Sequence, residues 1–248
     1  MRFTEEFRTA HPQIRPRLDE LEQFFDEYGK RFRRRLIAQE LRPNRLLGNR
    51  GAHLLLTSLS RARALTAAVI QCANTGLSDG MFLSARAHWE MTGLVAHFLQ
   101  KLRKLYAGEL SQEEFDRLLP RLALGRRWQV PEDLQEDITA INAITLVGSA
   151  ATLFRGRVEG AERVEKHVKE SYDFLSEFCH PNLLARSTKV TMSMDLRITE
   201  YDPGFAISAK ELRTCLIHGQ ASHGIFLFSY DECFRLLAEH EELPTLEA

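Results

Sequence analysis

The stretch Ala161-Glu162-Arg163-Val164-Glu165-Lys166-His167-Val168-Lys169-Glu170-Ser171-Tyr172-Asp173-Phe174-Leu175-Ser176-Glu177-Phe178-Cys179-His180-Pro181-Asn182 decides how this chain is read. Ala161, Val164, Val168, Tyr172, Leu175 and Phe178/Cys179 recur at three- and four-residue intervals. That is the spacing of one apolar helix face. Pro181 disfavours helical geometry at His180, so the helix is expected to run from about Ala161 to Cys179 and stop there. An imidazole, an amide (Asn182) and a hydroxyl (Ser176) thus gather where backbone carbonyls lose their partners. Such a cluster reads either as a site or as a helix cap.

The same period extends outward in both directions. Leu18, Leu21, Phe24, Phe25, Tyr28, Phe32 and Leu36 predict a first helix from about Arg15 to Leu41, ended by Pro43 and Gly48. Further helices are expected over about Ala52–Asn74, Ser78–Tyr106, Glu132–Phe154 and Ser208–His240. A shorter one begins at Ser111, where Ser111 and Glu114 form a capping box; Ser208 and Glu211 form a second. Lys189–Thr199 differs: it alternates with period two and is rich in β-branched residues. With the turn signal Asp202-Pro203-Gly204 it predicts a short β-hairpin or extended excursion before the last helix. The fold expectation is all-α: a basic N-terminal helical arm over residues 1–50 and a helical bundle over 51–248.

Composition narrows the function classes. With 248 residues and 44% hydrophobic content the chain has enough material for one sizeable core. No apolar run approaches the roughly 20 residues of a membrane span. The N-terminus lacks the apolar segment of a signal peptide, and the four cysteines form no CxxC pair. A cytoplasmic protein with reduced thiols, away from membranes, is the expectation. Net charge is −1, but it is unevenly placed. Lys30, Arg31, Arg33, Arg34, Arg35, Arg42, Arg45 and Arg50 face a single acid, Glu40, whereas the C-terminal tail is acidic. Such an arm binds phosphate backbones, solvates a helix face or pairs with acids.

Two constellations carry candidate chemistry. Arg86 and Glu90 lie one helical turn apart in an apolar helix, suited either to a structural ion pair or to holding a phosphate. Tyr172, Ser176, His180 and Asn182 form the second, with His180 a general acid or base near neutral pH. In Cys215-x2-His218-x4-His223 the two histidines are five apart and do not share a helix face well, so no metal is expected, and without a Gly-rich loop no cofactor is expected.

Arg86-x3-Glu90 followed by Tyr172-x2-Leu175-Ser176-x3-His180-Pro181, over roughly Ala52 to His240, resembles a group of bacterial helical proteins associated with the HEPN superfamily. The resemblance implies a helical bundle, often a homodimer, in a toxin–antitoxin or phage-defence system with a protein partner from the same operon. It also implies RNA as substrate and a metal-independent endoribonuclease using Arg-x4-6-His. This chain departs from that motif at His180, which has no arginine five to seven residues before it. Arg213 and His218 supply the motif's spacing instead, with the polar Thr214 following the arginine. Two other readings stand beside RNA cleavage. One is a non-catalytic module that docks a protein; the other is a nucleotide or small-molecule sensor with Arg86, Tyr172 and His180 around one pocket.

Overall fold

Long amphipathic helices in this sequence must bury their apolar stripes against one another, and in the computed structural model they do so around one central helix. Residues 1–37, 46–123, 125, 138–180, 190–192, 199–201 and 207–247 are described. The helices are α1 (Glu5–Ala10), α2 (Arg15–Arg31), α3 (Leu46–Asn74), α4 (Ser78–Tyr106), α5 (Gln112–Ala123), α6 (Ala143–Thr152), α7 (Ala161–Ser176), α8 (Ala209–Gly219) and α9 (Ala221–His240). The protein is an all-α bundle. Helix α4 is its axis, packed against α3, α6, α7, α8 and α9. Its Phe82, Trp89, Phe98 and Leu102 are fully enclosed. The Trp89 indole donates to the His218 carbonyl at 2.7 Å, satisfying both groups inside the core. Among the described residues no helix is long and apolar enough to cross a membrane.

The strands are short. The excursion predicted from period two is a pair: β2 (Val190–Met192) runs antiparallel to β3 (Thr199–Tyr201), with Val190 opposite Tyr201. The connection is therefore 193–198, and Asp202-Pro203-Gly204 follows the second strand, outside the described residues. The other pair joins distant parts of the chain. Strand β1 (Arg35–Ile37) runs antiparallel to β4 (Thr245–Glu247).

That ribbon corrects the expectation of a helix continuing to Leu41. Helix α2 stops at Arg31 because Phe32 turns extended, and the backbone from Arg34 to Ile37 pairs with the acidic tail. Nor does Gly48 stop a helix. It sits inside α3, where a Cβ would lie 2.4 Å from the Glu242 carbonyl oxygen, so glycine is what lets the C-terminal segment approach. The expected last helix is two, broken at Gln220, whose side chain binds Arg17 and Glu20 of α2. Both capping boxes are formed, at Ser111 and Ser208. Helix α4 starts at Ser78 without a side-chain cap.

A sealed polar knot holds α2, α4 and α9 together. The Tyr28 hydroxyl lies 2.9 Å from His88 Nε2 and 2.8 Å from His223 Nδ1, and Ser222 Oγ lies 2.8 Å from His88 Nδ1. All four residues are buried. Burial drives His88 down to about 3 and His223 well below its usual value, so both imidazoles are neutral. One hydroxyl thus serves two imidazole nitrogens in the core: it is the partner of His88 Nε2 and the nearer partner of His223 Nδ1, which Thr66 Oγ1 also approaches at 3.5 Å.

Candidate functional site

The helical repeat that buries Val168 and Leu175 turns a second set of α7 residues, the buried Tyr172 among them, toward a cleft. Lys169, Tyr172, Asp173 and Ser176 recur at three- and four-residue intervals, and His180 follows past the helix end. They face Arg86 and Glu90 of α4 across a cleft of about 850 Å³. Helix α6 makes the third wall with Ile144 and Val147, and α4 adds Met91 and Leu94. Gly93 sets that wall: a Cβ there would lie 2.5 Å from the Leu146 carbonyl carbon, so only glycine lets α6 pack this close to α4.

Arg86 is held from three sides. Its Nε donates to Ser176 Oγ at 3.0 Å and its Nη2 donates to the Tyr172 hydroxyl at 3.0 Å. The same nitrogen pairs with Glu90 Oε1 at 3.1 Å. Tyr172 passes its own proton toward Glu90 Oε1 at 3.1 Å, and Ser176 donates to the Tyr172 carbonyl at 2.7 Å. The guanidinium carbon also stands 5.2 Å from the Tyr172 ring centroid, within cation–π range. The side chains of Arg86 and Glu90 remain 26% and 33% exposed, so solvent and a ligand reach them. Burial alone would lower the Arg86 pKa, but Glu90 and Tyr172 more than offset it and raise it. Burial, then Glu90, raises the Tyr172 hydroxyl, which stays a neutral donor. Cys179 lies at the same end of α7; burial raises its thiol, and Arg86 offsets part of that rise.

The structure therefore brings Arg86, Glu90, Tyr172, Ser176 and His180 to one cleft, with His180 exposed at its edge. Asn182 lies outside the described residues. Helix α7 ends at Ser176 rather than Cys179, and residues 177–179 continue as turns. Sequence reasoning missed Lys169 and Asp173, although both share the helical repeat with Tyr172 and Ser176. It also missed the α6 wall, which no spacing rule ties to Arg86.

Arg213 and His218 are not brought together within the chain. Five residues apart on α8, they point about 140° from one another. Arg213 is exposed, whereas His218 is packed against α7. The His218 ring stacks on Phe174 at 4.3 Å, and its Nδ1 lies 3.2 Å from Ser171 Oγ. Burial, with His167 adding to it, lowers its pKa. His223 belongs to the core knot and Cys215 is buried against Met81, so the three residues weighed for metal point apart. Among the described residues no group of three or more His, Cys, Asp or Glu could hold a metal ion.

The basic arm meets acids of its own chain. Arg31 grips Asp231 through two contacts of 2.8 Å and Glu27 at 2.6 Å. Arg33 donates to the Lys30 and Phe32 carbonyls. The Arg34 amide reaches the Glu247 carbonyl at 3.0 Å, and Arg35 lies 3.4 Å from the Glu247 carboxylate. Arg42 and Arg45 lie outside the described residues. The chain matches no protein-family model, no curated protein and no solved structure.

Proposed function

We propose that this protein is a HEPN-like RNA-binding protein whose strand-binding surface is the cleft between α4, α6 and α7. The observation that carries the reading is Arg86, a half-buried guanidinium fixed by Ser176 and Tyr172 beside an apolar wall. A guanidinium held in advance loses little freedom when it meets a phosphate. The wall of Met91, Leu94, Ile144 and Val147 suits the flat face of a base, and about 850 Å³ accommodates a nucleotide. In this reading the acid/base role falls to His180, exposed at the same edge, rather than to His218 behind α7. Cleavage proceeds in line: His180 takes the ribose 2′-hydroxyl proton, the 2′-oxygen bonds to phosphorus as the P–O5′ bond breaks, and the 5′-oxygen leaves with a proton returned by His180, with Arg86 on the scissile phosphate. The test is a short single-stranded RNA, labelled at one end. Arg86→Gln weakens its binding about tenfold or more, whereas His180→Asn leaves binding intact and removes cleavage. Unchanged affinity in Arg86→Gln rules out this cleft as the binding surface.

The size of the cleft favours a second reading at the same residues, a sensor of a free nucleotide. A mononucleotide then raises the melting temperature by mass action while RNA is neither bound nor cut.

A further inference from the structure

A second, smaller cleft, sharing no lining residue with the first, lies between the start of α3 and the end of α5. It encloses about 350 Å³, and its polar lining comes from Asn49, Arg50 and His53 of α3. Leu119 and Pro120 of α5 and Leu36 of β1 supply the apolar side. Asn49 is only 7% exposed, and among the described residues neither its amide oxygen nor its amide nitrogen has a hydrogen-bond partner. Burying a donor and an acceptor together without partners is costly, and folded proteins rarely tolerate it without a reason. The residue lines the cleft while its amide stays out of water. Nothing holds the amide there, so turning it into the cleft breaks no hydrogen bond.

We infer that this cleft is a binding site for an adenine nucleotide, read by the Asn49 amide. An asparagine amide offers one acceptor and one donor side by side, which matches the N6/N7 edge of adenine. Leu119 and Pro120 give the base an apolar face to lie on. Arg50, exposed at the next position of α3, meets the phosphate. His53, one turn on from Asn49, shares its helix face and lines the ribose side. The inference does not rest on the RNA reading of the first cleft. The nucleotide is either free or the end of an adenine-terminated strand, and these share the same chemistry.

The test is thermal melting of the full chain in an Arg86→Gln background, so that the first cleft adds nothing. Adenosine monophosphate in excess raises the melting temperature by several degrees; uridine monophosphate and inorganic phosphate do not. An adenine-ended oligonucleotide that shifts the melt while the mononucleotide does not identifies the strand end as the source. Asn49→Leu abolishes the shift. Without ligand it melts at the same temperature or about 2–4 °C higher, because it removes an unsatisfied buried amide. A structural asparagine would behave oppositely, so a lower melting temperature for ligand-free Asn49→Leu overturns the inference. So does a shift that persists in that variant, a shift given equally by phosphate, or no shift with either adenine probe.

Discussion

Helix α4 carries two polar networks two residues apart, and they have opposite characters. His88 points inward to Tyr28, His223 and Ser222, where water is excluded. Arg86 and Glu90 point to the cleft, where a tyrosine and a serine brace them and solvent still reaches them. Both networks centre on a tyrosine hydroxyl with two partners. In the first, the hydroxyl satisfies buried imidazoles whose only other contact at those nitrogens is Thr66 at 3.5 Å from His223, so its loss falls on stability. In the second, water replaces any missing partner, so the loss falls on whatever the cleft binds. Burial, more than the identity of the hydrogen bonds, separates a structural network from a functional one.

Acid breaks this contrast with the largest expected effect. His88 is held down to about 3 from an ordinary 6.5, and His223 is also held well below its ordinary value, by the same burial and by His88 itself. A base whose pKa is depressed by folding contributes stability that is complete above 6.5. That contribution is lost as pH falls from 6.5 toward about 3, because the unfolded chain takes up protons that the folded one refuses. His97, lowered to about 4 by burial and hydrogen-bonded to Ser149, acts in the same direction. Stability measured by denaturant titration between pH 7 and 4 is expected to fall by a few kcal/mol. A flat profile would mean that the imidazoles are not enclosed.

Tyr28→Phe comes next. It keeps the packing and removes the shared hydroxyl, leaving His88 Nε2 without a partner and His223 Nδ1 with only the longer Thr66 contact, at a cost of about 1–3 kcal/mol. Tyr172→Phe makes the same chemical change at the cleft and is expected to cost less than about 1 kcal/mol, since solvent replaces the bond. Equal losses for the two variants would erase the distinction between the networks. The smallest effect is expected at the arm. Arg31→Gln removes the Asp231 and Glu27 contacts, which are 50% and 36% exposed, and changes stability by about 0–1 kcal/mol. Its informative readout is salt dependence: if RNA binding keeps its salt slope in this variant, Arg31 is spent on its own chain and makes no phosphate contact.

The sequence displayed the parts of this molecule that local periodicity controls. Val168, Tyr172 and Leu175 announce α7, Ser111 and Ser208 announce the starts of α5 and α8, and the alternation around Val190 announces β2. Arg86, Glu90, Tyr172 and Ser176 could be grouped because each pair lies one turn apart on its own helix. Long-range relations left no such trace. Leu36 continues the apolar stripe of α2, yet it pairs with Leu246, because strand pairing with a distant acidic segment overrides helical spacing for three residues. The spacing of Arg213 and His218 matched a motif in one dimension, but a five-residue step on a helix sends the two side chains different ways. Tyr28, His88 and His223 each look like ordinary core residues; only their meeting makes a network. Asn49 looks like a surface residue beside Gly48 and Arg50, and only its burial without partners sets it apart.

The β1–β4 ribbon has a consequence for how the protein is made. Arg35 and its partner Glu247 are separated by 212 residues. At a synthesis rate of about 5–20 residues per second, β1 waits about 10–40 s on the ribosome before its partner exists. For that interval the nascent chain displays an unpaired strand edge beside Arg33, Arg34 and Arg35, with the acids of β4 and α9 still to be synthesised. An unpaired edge invites pairing with other chains, and the cluster of like charges beside it repels another copy of itself.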